Sequence, residues 1–281
     1  MMSSPQAAAG SPQYSAIVIC NRYTEIKLAE LVDALRAVAP SSKIGDWIGP
    51  FDGRDIEAFG SDMISIDGVQ MTLLSLDQPL PPPFFDIGPV PSQLMPNPLQ
   101  QLRGQRAHVS IVPAALPQNG PSAVATARAV SLLALAVAIV TQAEAVKWID
   151  SNNFVSVALL RGCAARLAVL GGTAVPFWIR IFAGRAHDQQ KIIAGSYGLW
   201  SFGLDEIEYA PIAMSIEELV PHAWSVCEYV MSSEKAVKDD DTIDVDQKNV
   251  FKLDVIANGF FGTGRNLRLS WLAPSKSFKP S

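Results

Sequence analysis

The stretch GSYGLWSFGLDEIEY, residues 195–209, says more about the fold of this chain than any other. Its glycines separate aromatic residues, and an acidic segment follows them. Because glycine adopts positive φ values without strain, Gly198 and Gly203 are expected to form a tight turn that presents Trp200. The stretch therefore predicts two extended segments, residues 191–197 and 205–209, on either side of a glycine-rich turn.

The sequence before residue 78 predicts one helix on a small antiparallel sheet. A β-branched run at residues 14–20 indicates a strand, and the apolar residues of segment 26–38 recur at helical spacing. Strand-like segments then flank the dipeptide Asp67-Gly68, which is a strong hairpin signal. We therefore expect a small N-terminal α+β unit at residues 14–77, preceded by a disordered leader at residues 1–13.

A proline-rich segment, residues 78–105, follows this unit. Proline fixes φ and has no backbone N–H, so we expect an extended connector and no regular element. Phe84, Phe85 and Ile87 would hold such a connector against the protein surface. The alternative is that it serves as a ligand for a proline-recognising domain.

Residues 106–281 predict a larger C-terminal α+β unit. A strand at residues 108–112 precedes an apolar helix at residues 123–143, and Ser215 with Glu218 forms a capping box at the start of a later helix. The predicted fold class is α+β, with two antiparallel-rich α/β sandwich units joined by the proline-rich connector.

Composition argues against several classes of function. The chain has 281 residues, of which 49% are hydrophobic and 17% charged, and its net charge is −5. Its lysines and arginines are scattered, whereas nucleic-acid-binding proteins present a basic face, so we expect no nucleic-acid partner. The apolar run at residues 123–140 contains Arg128 and is shorter than the roughly 20 apolar residues needed to cross a bilayer. We therefore expect it to form a buried helix, and we expect no membrane partner. No export signal is visible, and the three dispersed cysteines indicate reduced core residues, which predicts a cytoplasmic protein.

Catalytic and metal-binding patterns are missing from the sequence. It contains no nucleophile elbow, and His108, His187 and His222 are too far apart along the chain for a metal motif. The segment GFFGTG at residues 259–264 resembles a phosphate loop, but a strand pattern follows it where a helix is required. We therefore expect no catalytic residue, no metal and no cofactor, and we favour a protein that is not an enzyme.

Acidic side chains are the remaining polar candidates. Asp239, Asp240 and Asp241 could bind a divalent cation or form a solvated turn before a strand. Glu206 and Glu208 alternate along one strand, so they face the same side of it. Two such carboxylates are either an acid–base pair or the polar face of a half-buried strand.

Trp200 has two possible roles. It is either a core side chain that makes the turn a folding device, or an exposed aromatic residue that binds a partner. The candidate binding residues are Trp200, Asp205, Glu206, Glu208, Asp240 and Asp241.

Five segments, in their order along the chain, resemble the bacterial family named domain of unknown function 4261 (DUF4261). They are IDG at 66–68 with QPLP at 78–81, HVSI at 108–111, VKW at 146–148, GL at 198–199 with FG at 202–203 and EIE at 206–208, and DTI at 241–243. The resemblance covers nearly the whole chain after the leader and implies no catalytic residues. The chain departs from the family pattern at Asp240, where a glycine is expected.

The resemblance also suggests a role. Small cytoplasmic α+β families without catalytic motifs often accompany secreted bacterial toxins as immunity proteins, which is an argument by association. We therefore expect a non-catalytic protein-binding protein that neutralises a toxin or effector by occluding its active site. One alternative is an enzyme or small-molecule sensor that uses Glu206, Glu208 and His108 in a cleft between the lobes. Another is a scaffold associated with a secretion system.

Overall fold

A computed structural model shows two units, each built on a six-stranded sheet. It describes residues 11–45, 61–87, 92–117, 120–169, 172–186, 190–233, 237–244, 250–259 and 263–272. The chain divides into the units Ser11–Trp178 and Ile179–Ser281, and the two sheets contain mostly antiparallel pairs. The predicted α+β class with two antiparallel-rich units is thus confirmed. The first ten residues of the predicted leader lie outside the described residues.

The first unit contains the first six strands in chain order. Its elements are β1 (Ala16–Cys20), α1 (Leu28–Val38), β2 (Ser61–Ile66), β3 (Val69–Leu76), α2 (Pro98–Gln101), β4 (Ala107–Pro113), α3 (Gly120–Val140), β5 (Ala145–Trp148), β6 (Asn153–Ser156), α4 (Val157–Leu167) and α5 (Val175–Trp178). The strand order is β2-β3-β4-β1-β5-β6, and each neighbouring pair is antiparallel. The β2–β3 turn at Asp67-Gly68 is the predicted hairpin, with positive φ at both residues.

The boundary between the units differs from the predicted one. The pattern at residue 106 suggested a new unit, but β4 lies in the middle of the first sheet. It pairs with β1 through Val109 opposite Val18 and with β3 through Ile111 opposite Leu73. Strand pairing over such separations leaves no local signal in the sequence, because the pattern of one strand does not identify its partner. Segment 78–105 consequently lies inside the first unit.

Helix α3 forms the centre of this unit. It packs on the sheet and against α1 and α4, and Leu132, Leu135 and Val137 have no exposed surface. Ile139, which belongs to the run predicted to form a buried helix, is only half-buried. The helix is long and apolar enough to cross a membrane, yet 78% of its most apolar window is buried inside the protein. This burial is typical of the core helix of a soluble protein.

Arg128 ties α3 to two other elements. Its guanidinium donates to the carbonyl of Leu167 at 2.5 Å and to the carboxylate of Asp67 at 2.7 Å. Although partial burial acts to raise the pKa of Asp67, hydrogen bonds from Arg128, the Lys43 amide and Ser42 outweigh it and lower that pKa. The one charged residue of α3 therefore fixes the β2–β3 turn and the end of α4.

The proline-rich segment covers the other face of the first sheet. Its apolar residues form one core cluster with side chains of β1, β5 and β6; the cluster contains Ile17, Ile19, Leu80, Phe85, Ile87, Met95, Leu102, Ala145 and Phe154. The predicted connector is thus a covering layer, with a 3₁₀ turn at Pro82–Phe85 and the short helix α2. A sheet that is apolar on both faces needs two layers over it, and this segment supplies the second.

The second unit contains the remaining strands and one long helix. Its elements are β7 (Arg180–Arg185), β8 (Ile192–Tyr197), β9 (Glu206–Ile212), α6 (Ile216–Ser232), β10 (Thr242–Asp244), β11 (Val250–Asn258) and β12 (Thr263–Leu272). The strand order is β10-β11-β12-β9-β8-β7, with a parallel pair between β9 and β12. The predicted capping box of Ser215 and Glu218 begins α6, and His222 of this helix lies 2.8 Å from the hydroxyl of Tyr209 on β9.

Candidate functional site

The glycine-rich turn connects β8 to β9. Gly198 has φ 129° and Gly203 has φ 74°, and a single 3₁₀ turn, Leu199–Phe202, lies between them. Both φ values are in the range that side chains disfavour, so glycine is required at these two positions. The predicted tight turn is therefore present, and the strand that follows it carries Glu206 and Glu208.

Glu206 holds this turn from inside the protein. The side chain is 5% exposed, and its carboxylate accepts hydrogen bonds from the hydroxyl of Ser196 and from the backbone amides of Gly198 and Trp200, at 2.7 and 3.1 Å to the amides. Burial raises the pKa of Glu206, although these donors act to lower it. Its oxygen atoms are used by the protein's own backbone, so Glu206 serves the turn and does not face a substrate.

Glu208 forms an ion pair within the sheet. Arg268 on β12 lies directly opposite Glu208 on β9. The guanidinium of Arg268 donates to Glu208 Oε1 at 2.6 Å. The glutamate is 2% exposed. A Cβ atom at Gly259 would lie 2.2 Å from Glu208 Oε2, so this glycine leaves room for the carboxylate. Both glutamates are buried, so they do not form the polar face of a half-buried strand, and each is held by its own structural partners.

His108, the third residue of the enzyme hypothesis, lies in the first unit. It is 5% exposed on β4, and its Nδ1 is 2.9 Å from the carbonyl oxygen of Gln78. Burial lowers the pKa of His108, while the hydrogen bond with Gln78 acts in the opposite direction. Its position fixes the start of the proline-rich segment on the sheet, which is a structural role.

Trp200 is half-buried and is not an exposed aromatic residue. Its backbone amide donates to Glu206, and its buried indole Nε1 makes no hydrogen bond to any described residue. The side chain therefore packs beside the turn that its own backbone helps to form. Its position favours the folding role over the partner-binding role.

The predicted aspartates lie at the surface of the second unit and are held by neighbouring groups. Asp205 pairs with Arg265 at 2.8 Å, and Asp240 pairs with Lys252 at 2.8 Å. Asp241 accepts a hydrogen bond from the backbone amide of residue 238 at 2.7 Å. These contacts fix the positions of the carboxylates while leaving them on the solvent side.

Two adjoining cavities include Asp205 and Asp241 in their walls. A cavity of about 270 Å³ includes Asp205 and Arg265 in its wall, and one of about 350 Å³ includes Tyr229 and Asp241. Both are also lined by Ser233 and Val237 at the end of α6. We call the combined depression the acidic groove.

The acidic groove combines an apolar floor with a charged rim, and the surface beside it is negative. Its floor is formed by buried residues of α6 and of strands β10 to β12, namely Val230, Ile243, Leu253 and Leu267. The charged residues that line it balance, Asp205 and Asp241 against Lys238 and Arg265. On the neighbouring surface Asp240 and Asp254 both pair with Lys252, and Asp239 accepts from the Val255 amide, so two negative charges are in excess there. Hydrogen bonds to Asp240 and Asp254 raise the pKa of Lys252. Such a surface suits a cationic partner with apolar side chains.

Tyr229 is the residue of this groove that the sequence prediction missed. It is 47% exposed, while Val226, Cys227 and Val230 on the same helix are buried. The core-facing spacing of those three residues places position 229 on the outer side of α6. An aromatic residue on the polar side of an amphipathic helix was therefore the available signal.

Metal and thiol chemistry find no support among the residues that the structure describes. They contain no group of three or more His, Cys, Asp or Glu side chains arranged to hold a metal ion. Cys20, Cys163 and Cys227 are buried, and no disulfide joins them. Burial also raises the pKa of Cys20 and of Cys227, which keeps both in the unreactive thiol form.

Comparison with known proteins finds one family match, within the second unit. Residues 195–268 match the model of the family described as Domain of unknown function (DUF4261), which confirms the predicted resemblance over this segment. The matched segment begins in β8 and ends in β12, so it includes the glycine-rich turn, both glutamates and the acidic groove. No curated protein and no solved structure matches the chain significantly.

Proposed function

We propose that this chain is a non-catalytic protein-binding protein of the bacterial cytoplasm, and specifically an immunity protein that neutralises a toxin by occluding its active site. The acidic groove is the observation that carries the proposal. It joins the predicted residues Asp205 and Asp241 to the exposed ring of Tyr229, all within the segment that matches the family. Asp240 lies next to this lining, where its backbone amide donates to the carbonyl of Leu253.

The composition of the groove suits a protein interface. Interfaces combine an apolar centre with a polar rim, and tyrosine is enriched among the residues that dominate binding energy. Tyr229 stands at the edge of the floor, beside Ile243 and Leu253. Because ion pairs and hydrogen bonds hold the surrounding aspartates, little side-chain freedom remains to be lost on binding.

Charge supports a cationic partner. The chain carries a net charge of −5, and the surface beside the groove, with Asp239, Asp240 and Asp254 around Lys252, adds a local excess of negative charge. Opposite potentials accelerate encounter and exclude partners of like charge. A toxin that binds an anionic substrate has a positive active-site cleft, and a negative protein surface can cover such a cleft.

The enzyme alternative gains no support from the described residues. Glu206 and Glu208 bind the glycine-rich turn and Arg268, and His108 is buried in the other unit. No observation favours the scaffold alternative over the immunity role, so we retain the immunity role alone.

A co-expression experiment tests the proposal. The chain would be produced together with the effector encoded beside it, with bacterial growth and the native mass of the purified complex as readouts. We expect the wild-type chain to restore growth and to form a stoichiometric complex. Tyr229→Ala and Asp240→Asn should weaken both results; asparagine suits position 240 because its φ is 67°.

A matched control separates loss of binding from a general change of charge. Asp33→Asn removes an exposed aspartate that also pairs with a basic side chain, Arg36, but lies on α1 of the first unit. This variant should protect cells as well as the wild type does. Full protection by the groove variants, or a chain that stays free when the effector is present, would contradict the proposal.

A further inference from the structure

One of the two cavities of the acidic groove has the size and lining of a pocket for a single side chain. It measures about 270 Å³, which is smaller than the roughly 300–1,000 Å³ of sites that take a whole small molecule. Its walls include Leu204, Val230 and Leu267, and the last two are buried. We call this cavity the Asp205 pocket. Its apolar walls suit the stem of a long side chain.

Asp205 contributes a carboxylate to the wall of this pocket. Its side chain is 28% exposed, so the carboxylate is partly shielded from water. Its Oδ2 lies 2.8 Å from Nε of Arg265, and no other residue donates to this carboxylate within the part of the chain that the structure describes. An ionised carboxylate offers about four acceptor positions. Asp205 can therefore accept a further charged donor.

Arg265 is an exposed partner of this carboxylate. Its side chain is 60% exposed, and ion pairs surrounded by water contribute little to stability. The surface beside the groove carries an excess of negative charge, with Asp240 and Asp254 around Lys252, which attracts a second cation. A basic side chain from another protein can therefore bind Asp205 beside Arg265 or in its place.

We propose that the Asp205 pocket receives an arginine side chain of the partner protein, whose guanidinium binds the carboxylate of Asp205. This inference rests on the protein-binding role proposed for the acidic groove. Arginine is favoured over lysine because a guanidinium is more weakly hydrated than an ammonium group and loses less on entering a half-buried site. Its apolar stem packs on Val230 and Leu267, as the stems of long cationic side chains do.

Titration of the full chain with N-acetyl-arginine methylamide, followed by NMR of the backbone amides, tests the proposal without the toxin. We expect the amide signals of Gly203 and Asp205 to shift as the probe binds. The citrulline analogue has a neutral head and should bind about tenfold more weakly, and the lysine analogue should also bind more weakly than arginine. Asp205→Asn should weaken binding of the arginine probe by about tenfold.

Arg265→Gln distinguishes a binding pocket from a purely structural ion pair. It removes the competing internal cation, so the arginine probe should bind about two- to fivefold more tightly, in keeping with the small strength of an exposed ion pair. Lys238→Gln is the matched control, because it removes a cation from the wall of the neighbouring cavity. This control should leave binding of the probe unchanged, whereas a general effect of charge would appear equally in both variants.

The proposal is overturned if the wild type does not bind the arginine probe, or if the citrulline or lysine analogue binds as tightly. Unchanged binding by Asp205→Asn or Arg265→Gln would overturn it as well. Because the titration needs no toxin, a chain that binds the probe but stays free beside the effector contradicts the immunity role alone. A chain that forms the complex without binding the probe contradicts the arginine pocket alone.

Discussion

Replacing Glu206 by alanine should destabilise the second unit without touching any partner-binding surface. The change removes the acceptor of the backbone amides of Gly198 and Trp200 and of the Ser196 hydroxyl. Each buried donor left without a partner costs about 1–3 kcal/mol, so the two amides alone account for about 2–6 kcal/mol. Removing the carboxylate also recovers part of this free energy, because burying the charged group is itself unfavourable. We expect a net decrease of about 2–4 kcal/mol in the free energy of unfolding.

Glu206→Gln separates the role of shape from the role of charge. Burial raises the pKa of Glu206, so the folded state holds the proton more tightly than the unfolded chain does. The stability of the wild type therefore falls as pH rises from the unfolded pKa of about 4.3 through the folded value. Glutamine does not ionise, so the advantage of the wild type over Glu206→Gln should be greatest at acidic pH and shrink toward neutrality.

Urea unfolding followed by circular dichroism measures both effects across a series of pH values. The other titrating groups, among them Asp67 and His108, are common to the wild type and to both variants and cancel in the differences. If Glu206→Ala unfolds at the same urea concentration as the wild type, the carboxylate does not hold the turn. In that case its assignment as a structural group is wrong.

Three further substitutions test other parts of the structure. Arg128→Met should lower the free energy of unfolding, measured by chemical denaturation, by about 2–4 kcal/mol. The change removes the donor to the Leu167 carbonyl and the ion pair with Asp67. Because the pKa of Asp67 is lowered in the fold, that loss should shrink below about pH 3.9 as the aspartate becomes protonated. Leu135→Asp should abolish the cooperative unfolding transition, because an unpaired carboxylate in the centre of α3 costs several kcal/mol, whereas Leu135→Met should cost less than about 1.5 kcal/mol. Trp200→Ala should lower the melting temperature and leave the affinity for the partner unchanged; intact stability with at least tenfold weaker binding would show that Trp200 binds the partner.

Local signals in the sequence predicted local structure well. Asp67-Gly68 indicated a hairpin because few other residues accept positive φ at both positions of such a turn. Ser215 and Glu218 indicated the start of α6 through a capping box that needs no tertiary contact. Gly198 and Gly203 indicated the turn because glycine adopts positive φ values without strain.

Long-range pairing could not be predicted in the same way. The sequence of β4 does not reveal that its neighbours are β1 and β3, so the boundary at residue 106 and the role of segment 78–105 were misplaced. The alternation of Glu206 and Glu208 indicated one face of β9 but could not show that Arg268 and two backbone amides meet them there. Partners of buried charges come from distant parts of the chain, and one sequence does not identify them.

The part of the site at the surface was predicted as separate residues and not as a groove. Asp205, Asp240 and Asp241 were chosen for their charge, and Asp205 and Asp241 line cavities that share Ser233 and Val237, with Asp240 next to Asp241 in the chain. The apolar floor beneath them comes from α6 and from strands that lie far apart in the sequence. Its existence depends on how helix and sheet pack, which the spacing of apolar residues alone does not determine.

The association and dissociation rates of the proposed toxin complex, measured at increasing salt concentration, test the central claim most directly. We predict that the double variant Asp205→Asn/Asp240→Asn associates at least tenfold more slowly than the wild type at low salt. We also predict that this difference disappears at high salt, because screening removes the steering effect of rim charges. Tyr229→Ala should instead accelerate dissociation, with a loss of about 2 kcal/mol or more at every salt concentration. Equal association and dissociation rates for the wild type and all these variants would show that the acidic groove does not bind the toxin.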